Sequence, residues 1–357
     1  MRKVKIGIIG CGGIAKQKHL PSLKADPRAE LVAFCDLIEE RAQWAAGEYG
    51  AEGAKVYTDY HELLKDPEIE VVHVLTPNRS HCELTCDALH AGKHVMCEKP
   101  MAKTYADAKK MLEAAHETGK KLTIGYQNRF RPDSQYLKGR MESLGEIYYA
   151  KAQAVRRRAV PTWGVFLDEE NQGGGPLIDI GTHALDLTLW EMNNYEPKSV
   201  MGCAFKKLGK QENQGNILGH WDTEKYTVED AAMGFITMKN GAVIVLESSW
   251  ALNILDDRQA KCTLCGVDGG ADMNDGLRLN YIVDDKMVVT TPDLAANGVD
   301  YFGGTLDTPG VLEARQWLDA VINDTEPLVK PEQAIVVTQI LEAIYESAAT
   351  GKAVYFD

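Results

Sequence analysis

Two short segments carry the side chains best suited to moving a proton on and off a hydroxyl group. Glu98-Lys99-Pro100 closes Lys93 to Cys97, an apolar run that reads as a strand. A lysine at a strand's C-terminal end would polarise a substrate hydroxyl or stabilise its alkoxide. The proline after it fixes the backbone and helps aim the side chain. Taken alone, a strand-end lysine is often only solvated. The second segment is Asp179-Ile-Gly-Thr-His183-Ala-Leu-Asp186. Its three polar residues stand at i, i+4 and i+7, one face of a helix. An aspartate that holds and charges a histidine serves general-base chemistry. The bland alternatives are a capping or solvated Asp179 and a His183 satisfied in the core. Leu177, Ile178, Leu185, Leu187 and Leu189 leave little of this helix polar, which argues against a plain surface face. Asp-x-x-x-His would also suit a metal ion. No further His, Cys or Asp cluster stands at ligand spacing, so no metal is expected.

A third segment fits a cofactor. Val4 to Ile9 is a short apolar run, and Gly10-Cys11-Gly12-Gly13-Ile14-Ala15 follows at once. A buried strand, Gly-x-Gly-x-x-Ala and a helix form the dinucleotide fingerprint. Gly10 permits the tight turn, Gly12 lets the backbone approach a pyrophosphate, and Ala15 is small enough for helix and strand to pack. The phosphates would rest on the helix N-terminus, where free N–H groups and the dipole favour anions. Leu31 to Cys35 reads as the next strand and ends in Asp36. An acid about 20 residues beyond the glycines is placed to accept from a ribose diol. It would repel a 2′-phosphate, so NAD is expected over NADP. The alternative is an Asp36 that caps the helix starting near Glu39.

These segments need a scaffold, and the sequence supplies two kinds. Over roughly the first 125 residues strand and helix alternate in the βαβ manner. Glu70 to Thr76 is a strand ending at Pro77-Asn78, and Ser80 to Ala91 a helix with a Ser cap and Gly92 at its end. Thr104 to Glu117 is an amphipathic helix stopped by Gly119, and Leu122 to Tyr126 a further strand. The expected fold class is α/β. Its first domain, residues 1–125, is a doubly wound Rossmann parallel sheet, with ligands beyond the carboxyl ends of the strands.

From about Gly145 long alternating segments take over: Ile147 to Arg158, Thr227 to Met238 and Ala242 to Leu252. Asn240-Gly241 is a strong hairpin signal. Gly173-Gly-Gly-Pro176 leads into a helix from Leu177 to Met192, with proline near its first turn. Two helical stretches, Val311 to Asn323 and Pro331 to Thr350, close the chain. The second domain, residues 126–357, is expected to be α+β with a large, mostly antiparallel open sheet. Lys206 to Lys225 is polar and reads as a long insertion loop.

Composition bounds the rest. With 357 residues, about two domains are expected. A net charge of −13 disfavours nucleic acid and anionic membranes as partners. No stretch approaches the ~20 apolar residues of a membrane span, and the first strand begins too early for a leader, which leads to an expectation of the cytoplasm. The eight cysteines suit a reduced compartment. Cys262-x-x-Cys265 lacks a second pair and reads as packing rather than a metal or redox site. Cys82 and Cys86, one helical turn apart, read the same way.

Together the segments carry a resemblance. The fingerprint from Gly10 to Ala15, Thr76-Pro77-Asn78-Arg-Ser-His81, Glu98-Lys99-Pro100, Gly125 to Phe130 and Gly173 to Asp186 resemble the Gfo/Idh/MocA family of sugar and polyol oxidoreductases. The likeness runs nearly end to end and includes Glu342-Ala-Ile-Tyr345. It implies a catalytic set of Lys99, Asp179 and His183. In that set His183 takes the proton from a secondary hydroxyl, Asp179 orients it and Lys99 hydrogen-bonds the reacting oxygen. It also implies cofactor contacts at Gly10, Gly12, Gly13, Ile14, Asp36, Thr76, Pro77, Asn78, His81, Glu98, Lys99 and Gln127. Substrate contacts are expected at Lys99, Asn128, Trp163, Asp179 and His183, and the resemblance implies assembly into homo-oligomers, tetramers or dimers.

The expected activity is NAD-dependent oxidation of a cyclic polyol or sugar. Three alternatives stay open: reduction of a ketosugar, a glycoside hydrolase that oxidises C3 transiently, and an NAD-binding regulator without turnover. Trp163 would stack on a sugar ring or simply pack. Arg156 and Arg158 share a strand face and would meet a carboxylate or phosphate, or be a solvated strand end.

Overall fold

The computed structural model describes residues 2–294 and 307–356. The chain divides into two compact units. The first comprises residues 1–127 and 306–335, the second residues 128–305 and 336–357.

The first unit is built on six strands: β1 (Val4–Ile9), β2 (Ala29–Cys35), β3 (Lys55–Tyr57), β4 (Val71–Val74), β5 (His94–Cys97) and β6 (Leu122–Ile124). All pairings are parallel, in the order β3-β2-β1-β4-β5-β6. Strand order reverses between β1 and β4, which opens a crevice beyond their carboxyl ends. The central strands are buried on both faces, so they read as continuous apolar runs.

Two details differ from the sequence reading. Ser80 is no cap. Asn78–Ser80 forms a 3₁₀ turn after Pro77, and the α-helix runs His81–His90. The Ser80 hydroxyl turns back to Thr76 Oγ1 at 2.8 Å and the Pro77 carbonyl at 2.9 Å, so it is already spent. The helix Pro309–Ile322 belongs to the first unit rather than to the second domain. Its Trp317, Leu318 and Val321 lie in one buried cluster with Ile6, Ile8, Leu20 and Phe34.

The second unit carries β7 (Ile147–Val155), β8 (Pro197–Phe205), β9 (Ala231–Met238), β10 (Val243–Ser249), β11 (Arg258–Gly266), β12 (Gly269–Asp272), β13 (Arg278–Val283), β14 (Lys286–Thr290) and β15 (Val354–Tyr355). Their order is β14-β13-β12-β11-β7-β10-β9-β8-β15. Only β7 and β10 pair in parallel. Asn240-Gly241 makes the β9–β10 hairpin, with Gly241 at φ +91°. The helix Thr182–Met192 is buried nearly all round and lies against β7 and β11. The 206–225 segment has neither helix nor strand, yet it is pinned. Asp230 Oδ2 accepts from the Lys207 and Leu208 amides at 2.6 and 2.5 Å, and buried Trp221 donates Nε1–H to the Gly209 carbonyl at 2.8 Å.

Cysteines sit where packing places them. Cys11, Cys35 and Cys97 are buried, and Cys262 meets Met273 inside the sheet. Burial pushes the Cys11 and Cys35 thiols up to about 12, which leaves them protonated and unreactive at neutral pH. No described helix is long and apolar enough to cross a membrane.

Candidate active site

In the first unit the glycine turn sits on the carboxyl end of β1. Gly10 has φ +97°, and a Cβ there would stand 2.6 Å from the Leu75 carbonyl oxygen. Only glycine satisfies both conditions. Gly12 and Gly13 differ: a Cβ on either would meet nothing within 4 Å. Open space over backbone N–H groups at a helix start fits a pyrophosphate. Ile14 is partly exposed beside them, while Ala15 is fully buried in the core.

Asp36 supports the same turn. Its Oδ2 accepts from the Cys11 amide at 2.8 Å and its Oδ1 from the Ile38 amide at 2.9 Å. The helix after it, Glu39–Tyr49, starts at Ile38 without a side-chain cap. Each carboxylate oxygen keeps a second acceptor site, so Asp36 retains capacity for a ribose diol.

Two residues expected at the cofactor are turned inward. The His81 ring is fully buried. Its Nδ1 lies 2.8 Å from the Pro100 carbonyl and its Nε2 2.9 Å from that of Thr76. It therefore clasps the Thr76–Asn78 and Lys99–Pro100 loops together and has no free ring nitrogen for a ligand. Burial, opposed by the two carbonyls, lowers its pKa. The Glu98 carboxylate is also buried. Oε1 accepts from Lys18 Nζ and meets His19 Nε2, both at 2.7 Å, and Oε2 accepts from the Lys99 amide at 3.0 Å. Glu98 thus fixes the backbone that presents Lys99, across a cis Lys99-Pro100 bond. Burial alone would raise the Glu98 carboxyl, but Lys18 and His19 outweigh it and hold it well below the usual range. Lys18 also pairs with Glu313 at 3.0 Å, and there burial wins and pushes the carboxyl up to about 7. Thr76, Pro77, Asn78, Lys99 and Gln127 all belong to loops or turns that follow β4, β5 and β6, with Lys99 and Gln127 half-buried.

In the second unit the helix approaching Met192 opens with a π turn, Leu177–Gly181. Asp179 lies on that turn and His183 just beyond it. Extra residues in a helical turn recur at functional sites. From Gly174 to Glu191, Asp179 and His183 are the only residues that are not buried. Asp179 Oδ2 accepts from Trp250 Nε1 at 3.0 Å. An edge-to-face series of rings, Trp163–Phe166–Trp250, leads from exposed Trp163 to that bond. Asp186, expected on the same face, is instead fully buried. Arg129 grips it with both Nε (3.0 Å) and Nη2 (2.6 Å). Asn128, half-buried, directly precedes that arginine.

What holds the π turn is invisible to local spacing. Glu229 is buried at the edge of β9. Its Oε2 accepts from the Gly175 amide at 2.8 Å, and its Oε1 accepts from the Leu177 amide at 3.1 Å and the Tyr345 hydroxyl at 2.9 Å. These bonds satisfy N–H groups that a helix start leaves unpaired. Ser248 Oγ donates to the Pro176 carbonyl at 2.7 Å. A Cβ on Gly174 would overlap the Tyr345 hydroxyl, and one on Gly175 the Glu229 carbonyl oxygen. The only sequence signal for Glu229 is two adjacent acids, Glu229 and Asp230, at the entry to an apolar strand, Thr-Val-Glu-Asp-Ala-Ala.

A parallel sheet with an open glycine turn and a strand-end acid, together with a mostly antiparallel unit that leaves Asp179 and His183 partly accessible, defines a two-domain dinucleotide-dependent oxidoreductase. Family comparison agrees along both units. Residues 4–126 match the Gfo/Idh/MocA oxidoreductase family, NAD-binding Rossmann fold, and residues 140–356 its C-terminal alpha/beta domain. The chain belongs to this family. It is 36% identical over 350 residues to D-glucoside 3-dehydrogenase of Escherichia coli K12, covering 98% of this chain and 96% of that protein. It is 40% identical over 146 residues to inositol 2-dehydrogenase of Salmonella typhimurium, 40% of this chain and 43% of that one. Among solved structures, levoglucosan dehydrogenase with NADH and L-sorbose superposes with a TM-score of 0.85 at 22% identity, covering all of both chains, which shows a shared fold.

Proposed function

We propose that this protein transfers hydride between a secondary hydroxyl of a cyclic polyol, sugar or glycoside and NAD. The observation that carries the proposal is that, from Gly174 to Glu191, Asp179 and His183 alone are only partly buried. Burial elsewhere makes that pair the helix's accessible chemistry. His183 takes the hydroxyl proton, Asp179 orients the imidazole, and Lys99 hydrogen-bonds the reacting oxygen as charge develops. NAD, when bound, supplies the hydride acceptor. The relationship to a D-glucoside 3-dehydrogenase supports a glucoside as substrate. Asp36 supports NAD over NADP, because its carboxylate would stand where a 2′-phosphate carries like charge.

The test is absorbance at 340 nm with NAD or NADP against inositols, aldoses and glucosides. NADH should accumulate with at least one of them. His183→Ala should lower kcat by about 10²–10⁴ with NAD affinity nearly intact. NAD binding without NADH from any polyol would overturn the proposal, and sugar release without net NADH would replace it with glycoside hydrolysis.

Self-assembly belongs to the same proposal. The large sheet exposes Tyr148, Met201 and Phe235 on β7, β8 and β9, the composition of a surface that pairs with a second copy. Light scattering should return a dimer or tetramer; a monomer at micromolar concentration would refute this.

A further inference from the structure

The run Arg156-Arg157-Arg158 remains unused by the reaction above. It leaves the end of β7 and lines a cavity of about 630 Å³ together with Ala159, Gln214 and Asn253, among others. The side-chain hydrogen bonds of these arginines are made to neutral groups. Arg158 donates from Nε to the Gln214 carbonyl at 3.2 Å, from Nη1 to the Arg157 carbonyl at 2.8 Å and from Nη2 to Asn253 Oδ1 at 2.6 Å. Arg156 Nη1 donates to the Ala159 carbonyl at 3.3 Å. The one carboxylate in the lining, Asp257, accepts from the Arg157 backbone amide at 2.6 Å. Among the described residues, no carboxylate pairs with any of the three guanidinium groups. In a chain of net charge −13, that is an unusual concentration of uncompensated positive charge.

Its position matters as much as its charge. The Arg156 amide donates to the Ser249 carbonyl and the Ala159 amide to the Trp250 carbonyl, both at 2.9 Å. Trp250 is the residue whose indole holds Asp179. The arginine run is therefore hydrogen-bonded to the backbone of Ser249 and, through Ala159, of Trp250, the residue whose side chain bonds Asp179, within the same unit. The wall opposite is the 206–225 loop, fixed by Asp230 and by Gln214, whose side chain bonds the Trp221 amide and carbonyl at 2.7 and 2.9 Å. Arg156 and Arg158, held by these hydrogen bonds, and the exposed Arg157 between them offer guanidinium N–H groups of the kind that recognise anionic oxygens by charge-assisted hydrogen bonds.

We infer that Arg156, Arg157 and Arg158 form a specificity pocket for an anionic group, carboxylate or phosphate, carried by the sugar or its aglycone. The inference rests on the proposed function for its sugar and on the pocket alone for its charge.

Methyl glucoside, carboxymethyl glucoside and glucose 6-phosphate would serve as probes, with both NADH formation and calorimetric binding measured on the full chain. One of the two charged probes should exceed methyl glucoside in kcat/KM by about tenfold or more, and which one does so separates carboxylate from phosphate. Arg157→Ala, at an exposed side chain, should cut that charged-over-neutral ratio at least about tenfold, and Arg157→Glu more. Binding of the charged probe should weaken in parallel and fall with added salt. Equal use of charged and neutral probes, with ratio and binding unmoved in both variants, would overturn the pocket while leaving the dehydrogenase reading intact. Charged-probe binding lost in Arg157→Glu without NADH from any probe would support the pocket and overturn the reaction.

Discussion

The two glycine turns look alike in sequence and work in opposite ways. Gly10-Cys-Gly-Gly13 opens the first unit's helix, and Gly173-Gly-Gly-Pro176 the second unit's. At Gly12 and Gly13 a side chain would enter empty space, so the missing atoms leave room for something outside the chain. At Gly174 and Gly175 the space is already taken by Tyr345 and Glu229. There the missing atoms let two distant parts of the same unit close on the turn that carries Asp179. A glycine cluster therefore marks close approach, and only the neighbours reveal whether the approaching body is a ligand or the protein itself.

Substitution at the two turns should separate these roles. Gly175→Ala forces a backbone carbonyl to move and should be the most damaging change. The expected result is loss of folded protein or a Tm fall of ten degrees or more, on the order of 3 kcal/mol or above, read by calorimetry. Gly12→Ala should leave Tm within a degree or two yet weaken NAD binding about tenfold or more. Equal Tm losses at both turns would erase the contrast.

Glu229→Gln keeps the shape of the clamp but replaces charge-assisted acceptors with a neutral amide. A cost of about 1–3 kcal/mol is expected, with kcat reduced more than KM is raised, because the displaced part is the Asp179 turn. Unchanged kcat at reduced stability would make Glu229 purely architectural.

Asp36→Ala removes the acceptor of the Cys11 amide. NAD affinity should fall about tenfold, in line with loss of one or two hydrogen bonds to a charged group, and discrimination against NADP should relax. A wild-type protein that already prefers NADP would show that Asp36 only braces the turn.

The smallest effect concerns pH. The folded-state pKa of Glu313, about 7, lies above the ordinary carboxyl value of 4.5. A raised acid favours the folded state while protonated. Its contribution is full below pH 4.5 and is lost as pH rises through about 7. Glu313→Gln should therefore flatten the decline in Tm of the first unit between pH 5 and pH 8. A steeper decline in that variant would reverse the sign.

Much of this was legible before any coordinates. The βαβ alternation, the fingerprint with Asp36, the Asn240-Gly241 hairpin and the Asp–His spacing are local patterns, and local backbone preference writes them directly into neighbouring residues. Asp186 has the helical spacing of Asp179 and His183, yet it is buried on Arg129, a partner 57 positions away that helical spacing does not reveal. His81 and Glu98 are expected at the cofactor from their segments alone, but whether a side chain faces a ligand or the protein's own groups depends on loops that spacing does not describe.

The sequence by itself determined the two sheet types and the dinucleotide-binding glycine turn, because each is encoded within a few turns or strands of chain. Only the tertiary structure decided that the Pro309–Ile322 helix returns to the first unit, that Glu229 and Tyr345 hold the Asp179 turn, and that three arginines face a cavity without a carboxylate partner. Those features are contacts between residues tens to hundreds of positions apart. They are selected by burial and hydrogen-bond satisfaction in the folded unit, and neither leaves a periodic trace along the chain.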